Sequence, residues 1–484
     1  MRDKGSISSN VLWKFSERIT AQAVSFVVSL VLARLLLPEE YGTVALVLVF
    51  IELANAFVSF GLGNSLIQKK DADDCDFSSV LYFNVCLSLV LYVVLFFFAP
   101  LIASYYENDL LVPVVRVFSL RLILAAINSV QNALIAKRMQ FRKFFWATLS
   151  GTIISGGVGI FLAYKGFGVW ALVAQYLTNT SIDTIVLCFS IKWKPRIVYS
   201  WERIGQLFRY GWKILFEGLS NSIAGQVRNL LIGKVYTASD LGFYSRGGQF
   251  PSIIMNNINS SISAVLFPAM SKEQDDEAAM LLLMRKAIRI SSYILFPMLW
   301  GLAAVANNLV SLLLTEKWLP CVPYIYITCA SSFISIGMYA RHEALKAKGR
   351  SDVFLLEHFF ARVINLTILF LVYKISVLAV ALSGLVGTLI LAGIIVFTSR
   401  KYTGYHCNDQ IKDVLGLVMM SVAMFIPTFI LGTVVDWSPL VELIIQVFMG
   451  IGIYLVLSIA FKPEGYRYCL NYVKGIIGRI KGVH

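Results

Sequence analysis

The sequence predicts an all-α integral membrane protein of about fourteen transmembrane helices, built as two six-helix lobes related by a pseudo-two-fold axis along the membrane normal, plus two C-terminal helices. Three observations predict it. The 484 residues are 58% hydrophobic and only 14% charged, with a mean hydropathy of +0.73, whereas roughly a quarter of an average soluble domain is charged. Apolar stretches of the right length recur along the whole chain, since a helix needs about twenty residues to cross ~30 Å of hydrocarbon and alone satisfies its own backbone groups there. The first and seventh stretches also align when shifted by two hundred residues, pairing Glu17 with Glu217, Arg34 with Lys234, and Tyr41-Gly42 with Leu241-Gly242.

The spans run over residues 12–36, 44–67, 79–104, 111–135, 144–165, 168–191, 212–236, 248–270, 287–315, 322–345, 353–374, 377–399, 412–434 and 440–461. The first lacks a short apolar core with a small-residue cleavage site, so it reads as a retained helix. It closes at LLLPEEYG, and the second ends at Lys69 and Lys70. The third closes at YYENDLL, the fourth at the basic run 137–143, the fifth at YKGFG and the sixth at the basic connection 192–213. VYTASDLGFYSRGG follows the seventh, residues 272–289 the eighth, LTEKWLP the ninth and residues 341–350 the tenth. YKIS, residues 400–412, VVDWSP and a basic tail close the last four.

Basic residues alternate with these connections. One side of the membrane collects the N-terminal segment, every basic connection and the tail, while the other holds only Arg34, Lys165, Lys234, Arg246, Lys317 and Lys374. That skew is the positive-inside pattern, so both termini are expected in the cytoplasm of a bacterial inner-membrane protein. The net charge of +14 thereby orients the chain, and no nucleic-acid partner is expected. Arg341, His342, Lys346, Lys348 and Arg350 read as orientation charges at one helix end, and Trp170, Trp300, Trp318 and Trp437 as interfacial belts. The tail from 466 to 484 reads either as a basic amphipathic helix on anionic lipid or as a frayed end.

The repeat divides the chain into an N-terminal lobe 1–197, a C-terminal lobe 198–402, two extra helices over 403–465 and the cytoplasmic tail 466–484. Six spans separate the repeats, an even number, which gives the halves one orientation, as in transporters that work by alternating access. The outward connections are too short to build an outer domain. No G-x-x-x-x-G-K-[ST] loop occurs, which excludes a P-loop ATP pump in this chain. The seven cysteines form no C-x-x-C pair, so neither a disulfide framework nor a metal site is expected. No cofactor is expected either.

Polar residues inside the spans are expensive, at least ~2.5 kcal/mol for a charge on insertion scales, and so mark cavities, partners or interfaces. Lys14, Arg18, Gln22, Ser25 and Ser29 share one face of the first span, with Glu17 beside them. Glu52, Asn55 and Ser59 form such a stripe on the second span. Glu217, Asn221 and Arg228 do so on the seventh, and Asn256, Asn259, Ser260 and Ser263 on the eighth. Stripes on the first two helices of each half are what a shared central cavity requires. Arg121, Asn128 and Asn132 on the fourth span and Arg362 on the eleventh are further candidates, whereas Asp183 and Glu442 stand isolated. A competing reading has Lys14, Glu17 and Arg18 snorkelling to the interface, Glu217 pairing with Lys213, and the eighth-span amides gluing helices together.

Guanidinium forks suit phosphate or carboxylate and amides suit sugar hydroxyls, so this residue set fits a large hydrophilic cargo. Glu17, Glu52 and Glu217 are the carboxylates able to carry a coupling H+ or Na+. The stretches FGLGNSLIQKK (60–70), ALIAKRMQFRKFF (133–145), GFGVWALVAQ (166–175), LIGKVYTASDLGFYSRGGQFPS (231–252) and VLFPAMSKEQDD (265–276) resemble the bacterial polysaccharide-exporter family. That family holds the O-antigen, colanic-acid and teichuronic-acid flippases of the multidrug/oligosaccharidyl-lipid/polysaccharide exporter superfamily. The resemblance implies a two-lobed bundle that flips an undecaprenyl-pyrophosphate oligosaccharide to the periplasmic leaflet, among membrane lipids and polysaccharide polymerase or assembly proteins. It also implies cationic cavity residues on the cargo, carried over to Arg18, Arg121, Arg228 and Arg362. The alternatives are a cation-coupled multidrug exporter of the same fold, a membrane enzyme, and a scaffold of polysaccharide assembly.

Overall fold

The computed structural model describes residues 4–471 except 60, 61, 70, 139, 192, 275, 435, 436 and 469. Side chains before Thr20 and a few helical ones, that of Glu217 among them, lie outside that description, as does most of the basic tail. The chain divides into two compact units, Met1–Gly242 and Phe243–His484.

The first unit contains α1 (Lys4–Leu35), α2 (Pro38–Ser59), a short α3 (Leu62–Gln68), α4 (Asp74–Tyr106), α5 (Leu111–Phe118), α6 (Arg121–Arg138), α7 (Phe141–Tyr164), α8 (Val169–Ser190) and α9 (Trp201–Val235). Next comes α10 (Ala238–Lys272), whose first turn closes this unit. The second unit continues with α11 (Glu277–Ala304), α12 (Ala306–Leu314), a 3-10 turn (Glu316–Cys321), α13 (Val322–Ala347), α14 (Ser351–Val372), α15 (Val377–Thr403), α16 (Cys407–Val434) and α17 (Pro439–Phe461). The sequence-based boundary at 197/198 follows the repeat. The first compact unit reaches further because α9 packs along α2, α3 and α4.

The protein is an all-helical, multi-pass membrane protein. Among the described residues, ten helices are long and apolar enough to cross a bilayer. Their outward faces carry Phe97, Phe448 and Phe461, each about 70% exposed, surface that water would reject and lipid accepts. The other long helices expected to span, α1, α8, α9 and α10, do not meet that apolar criterion. The last three carry the polar residues that lower it, such as Asn179 and Asp183, Asn221 and Arg228, and Asn256 and Asn259. In α1 the described apolar part, Thr20–Leu35, is short.

Local chemistry sets the ends. Asp73 caps α4 by accepting from the backbone N–H groups of Cys75 and Asp76, and the Asp76 carboxylate returns to the Asp73 N–H, a reciprocal box. Lys69 reaches Asp76 at 2.7 Å, Arg203 bonds Asp73, and Arg196 meets Asp74 at 3.1 Å. Trp193 also donates to Asp74. Ser78 and Ser79 accept from the backbone N–H groups of Arg196 and Ser200. The connection into α9 is thus strapped to the start of α4. The Arg203 guanidinium and the Asp76 N–H hold the Asp73 carboxyl down at about 2.

The fourth span departs from a continuous helix. Ser119 turns its hydroxyl back to the Val115 carbonyl at 2.6 Å, the chain bends at Leu120, and α6 restarts at Arg121. The ninth span likewise breaks at Val305.

At the starts of α2 and α10 the two repeats meet within the first unit. A Cβ on Gly42 would lie 1.7 Å from the Ala238 carbonyl oxygen, and one on Gly242 would lie 2.1 Å from that of Pro38. The shift of two hundred residues that aligns the sequences also exchanges these two contacts, giving an isologous crossing that only glycine permits.

In the second unit, Asp413 of α16 accepts from Arg285 at 2.7 Å and Arg289 at 2.5 Å on α11, and from Tyr405 at 2.8 Å. Arg341, expected as an orientation charge, is instead 2% exposed and makes two parallel bonds of 2.7 and 2.6 Å to Glu357, itself 3% exposed. The hydroxyl of Thr398 on α15 accepts from Arg341 at 2.8 Å and bonds Glu357. Arg341 is buried because it lies nearly two turns inside α13, on the face toward α14 and α15. Trp318, assigned to an interfacial belt, is fully buried, edge-on to Phe243.

Candidate functional site

Inside the first unit, α2, α3, α6 and α8 line an open cavity of about 460 Å³. Its polar lining comes from Asn55 and Ser59 on α2, from Arg121, Asn128, Ser129 and Asn132 on α6, and from Asn179, Thr180 and Asp183 on α8. Helical spacing explains the alignment: Asn55 and Ser59, Asn128 and Asn132, and Asn179 and Asp183 are each four apart and share a face.

The bend at Ser119 places Arg121 in the first turn of α6, where the helix dipole disfavours a cation. Three neighbours compensate. Arg121 Nε donates to Thr180 Oγ1 at 3.2 Å, Nη1 approaches Glu52 Oε1 at 3.4 Å, and the guanidinium carbon stands 5.6 Å from the Tyr176 ring centre. An anion arriving at Arg121 would meet both the guanidinium and the positive end of α6. Glu52, named as an ion-coupling candidate, is thereby the carboxylate that an arriving anion must displace or share.

Deeper in, the lining is rich in acceptors. Asn128 Oδ1 and Asn132 Oδ1 are buried without a hydrogen-bond partner among the described residues. Ser59 donates to Asn55 Oδ1 at 3.1 Å, and Asn84 donates to the Ser129 hydroxyl at 3.1 Å. Asp183 is seated against Gly151 of α7, where an added Cβ would lie 2.0 Å from its Oδ1. Unmet acceptor oxygens suit hydroxyl donors or a small cation. Among the described residues no three His, Cys, Asp or Glu side chains gather as a metal ion would require.

The structure therefore brings together Glu52, Asn55 and Arg121 from the sequence-derived set, and adds Asp183, which the sequence left without a role. The signal for Asp183 was present: Asn179, Thr180 and Asp183 recur at three- and four-residue steps on a helix of reduced hydropathy. Glu17, Arg18 and Glu217 have side chains outside the description. Asn221 on α9 is exposed and Arg228 half-buried, and neither lines this cavity. In the second unit Asn256 is exposed and Asn259 is 6% exposed, with its amide nitrogen lacking a partner among the described residues. Ser263, from the same stripe, donates to Glu343 of α13 at 3.3 Å, which is helix gluing of the competing kind. Arg362 on α14 is half-buried.

Comparison with known proteins finds relatives in polysaccharide biosynthesis. A family described as "Polysaccharide biosynthesis protein" matches residues 31–323. The succinoglycan biosynthesis transport protein ExoT of Rhizobium meliloti is 27% identical over 68% of this chain and 67% of its own. The lipopolysaccharide biosynthesis protein WzxC of Escherichia coli is 25% identical over 71% and 70%. Among solved structures, the lipid II flippase MurJ in an inward closed conformation superposes with a TM-score of 0.76 at 15% identity, covering 95% of this chain and 100% of that one. An inward-facing multidrug resistance transporter of the MATE family gives 0.58 at 15% identity, covering 84% and 98%. At such identities these two structures establish the fold.

Proposed function

We propose that this chain, which belongs to the polysaccharide biosynthesis protein family, carries lipid-linked oligosaccharide repeat units from the cytoplasmic to the outer leaflet of the bacterial inner membrane. The observation that carries the reading is the first-unit cavity: about 460 Å³ between α2, α3, α6 and α8, where one guanidinium at a helix start and amide, hydroxyl and carboxylate groups share a lining with Ile51, Ile67 and Leu122. A pyrophosphate finds its charge partner in Arg121, and sugar hydroxyls find acceptors in Asn128, Asn132 and Asp183. Further cargo contacts are proposed at Arg18, Arg228, Arg362, Asn55, Asn221, Asn256 and Asn259.

The proposal has the two repeat halves, 1–197 and 198–402, alternate in access, with both termini cytoplasmic and H+ or Na+ as the coupling ion. A transport role is supported by the printed name of one relative, the succinoglycan biosynthesis transport protein. Polymerase or assembly proteins are the proposed partners for the delivered unit.

The test is reconstitution of the purified chain in proteoliposomes carrying a fluorescent undecaprenyl-pyrophosphate oligosaccharide, read by the fraction quenched from outside. Transfer above protein-free vesicles is expected. Export of cationic dyes without any lipid-linked sugar transfer would favour the multidrug alternative, which the MATE-like fold admits.

A further inference from the structure

Outside the cavity, α13 and α14 each carry one histidine toward the other. The Nε2 atoms of His342 and His358 stand 3.4 Å apart and the ring centres 5.1 Å. Phe354 packs edge-on to His342 at 4.8 Å and tilted on His358 at 4.3 Å, closing one side of the pair. The residues preceding each histidine, Arg341 and Glu357, form the buried bidentate ion pair, which Thr398 ties to α15. The two helices are thus pinned one residue away from two imidazoles in contact. Histidine is the side chain whose ordinary titration falls near neutrality, and two of the four in the chain meet here.

Resting on the transport reading above, we propose that His342 and His358 form the proton-binding site to which transport is coupled. In the neutral pair one Nε2–H donates to the lone pair of the other Nε2. A hydronium ion gives its proton to that accepting nitrogen: one O–H bond breaks, one N–H bond forms, water is released and one imidazole becomes imidazolium. Both Nε2 atoms then carry hydrogen and face each other, the hydrogen bond is lost, and the rings must separate. Proton binding thereby converts directly into a change at the α13–α14 contact.

The charged groups acting on the rings are Arg341 and Lys346 from α13 and Glu357 and Arg362 from α14. From α15 the polar group is Thr398. Beyond Arg341, Ile288 of α11, Tyr405 and Gln410 share a cavity of about 90 Å³ with its side chain. Arg362, a proposed cargo contact, stands one turn from His358. An anionic cargo at Arg362 would favour the protonated pair, and by linkage the bound proton would favour the cargo by the same factor.

The experiment uses the full chain in the proteoliposomes described above, with leaflet transfer measured under an imposed gradient of one pH unit. Wild-type protein is expected to change its initial rate by up to about tenfold, the change in proton activity. His342→Gln and His358→Gln are each expected to reduce that response to below about twofold, while His406→Gln, remote from the pair in sequence, retains it. Independently, histidine NMR of the wild-type chain should show the two imidazoles titrating in coupled steps, reduced to one simple step in either variant. A full gradient response in both variants, or two independent single-step titrations in wild type, overturns the proposal. Absence of any wild-type transfer overturns the transport reading and the coupling role with it. Coupled titration in that case would assign the pair to proton binding alone.

Discussion

Removing the Arg341 side chain alone should injure the protein more than removing Arg341 and Glu357 together. Both groups are almost fully buried, at 2% and 3% exposure, and joined by bonds of 2.7 and 2.6 Å. Arg341→Ala leaves a buried carboxylate with the Thr398 hydroxyl but without its cation in a low-dielectric interior, and breaking a buried pair in this way costs about 3–5 kcal/mol. For a folded unit of 150–250 residues each kcal/mol moves the thermal midpoint by about 2–4 °C, so a fall of roughly 6–20 °C is expected. Adding Glu357→Ala removes the stranded charge along with its partner, leaving the desolvation penalty absent and only a packing defect behind. The double variant should therefore recover part of the loss. The assay is a double-mutant cycle on purified protein in one detergent, followed by tryptophan fluorescence during heating. A single-variant loss of under about 1 kcal/mol, the scale of an exposed pair, or a double-variant loss equal to the sum of the two singles, would refute the reasoning.

Three other outcomes follow from the same geometry. Gly42→Ala must open about 1.7 Å between α2 and the Ala238 carbonyl to restore ordinary contact, an overpacking loss of about 1–3 kcal/mol; an unchanged thermal midpoint would show that the crossing is slack. Asp73→Asn should destabilise by no more than about 1 kcal/mol, because the site is half exposed. Since the native carboxyl is held at about 2 against an ordinary 3.8, that loss should be fully present above pH 4 and fade as pH falls toward 2; a difference between wild type and variant that does not change with pH rules this out. Arg121→Ala should weaken binding of a soluble undecaprenyl-pyrophosphate analogue by roughly 10- to 150-fold, the worth of about 1.5–3 kcal/mol for a charge-assisted contact. Titration calorimetry giving wild-type affinity would remove Arg121 from the cargo site.

Much of this was legible because the bilayer imposes strong one-dimensional rules. Span length, loop position and the sorting of Lys and Arg are properties of the chain read in order, so helix positions emerge without knowing what packs against what. The repeat was also visible, and its Tyr41-Gly42 and Leu241-Gly242 match turns out to mark two residues that touch. The stripe of Glu52, Asn55 and Ser59 could be seen as a stripe, because helical periodicity is local.

What the stripe faces is not local. Asp183 appeared isolated because Arg121, Asn128 and Asn132 lie some fifty to sixty residues earlier, and only the packing of α6 against α8 brings them to one cavity. In the sequence Arg341 reads as an orientation charge, because composition counts charge without direction. Its rotation toward Glu357 and Thr398, on three different helices, depends on how α13, α14 and α15 pack. Sequence by itself determined that this chain is helical and membrane-spanning, since apolar stretches of about twenty residues cross lipid as helices that satisfy their own backbone groups. Tertiary structure decided which polar groups are spent on one another and which remain open to a cargo, because that depends on side-chain contacts between helices distant in the chain.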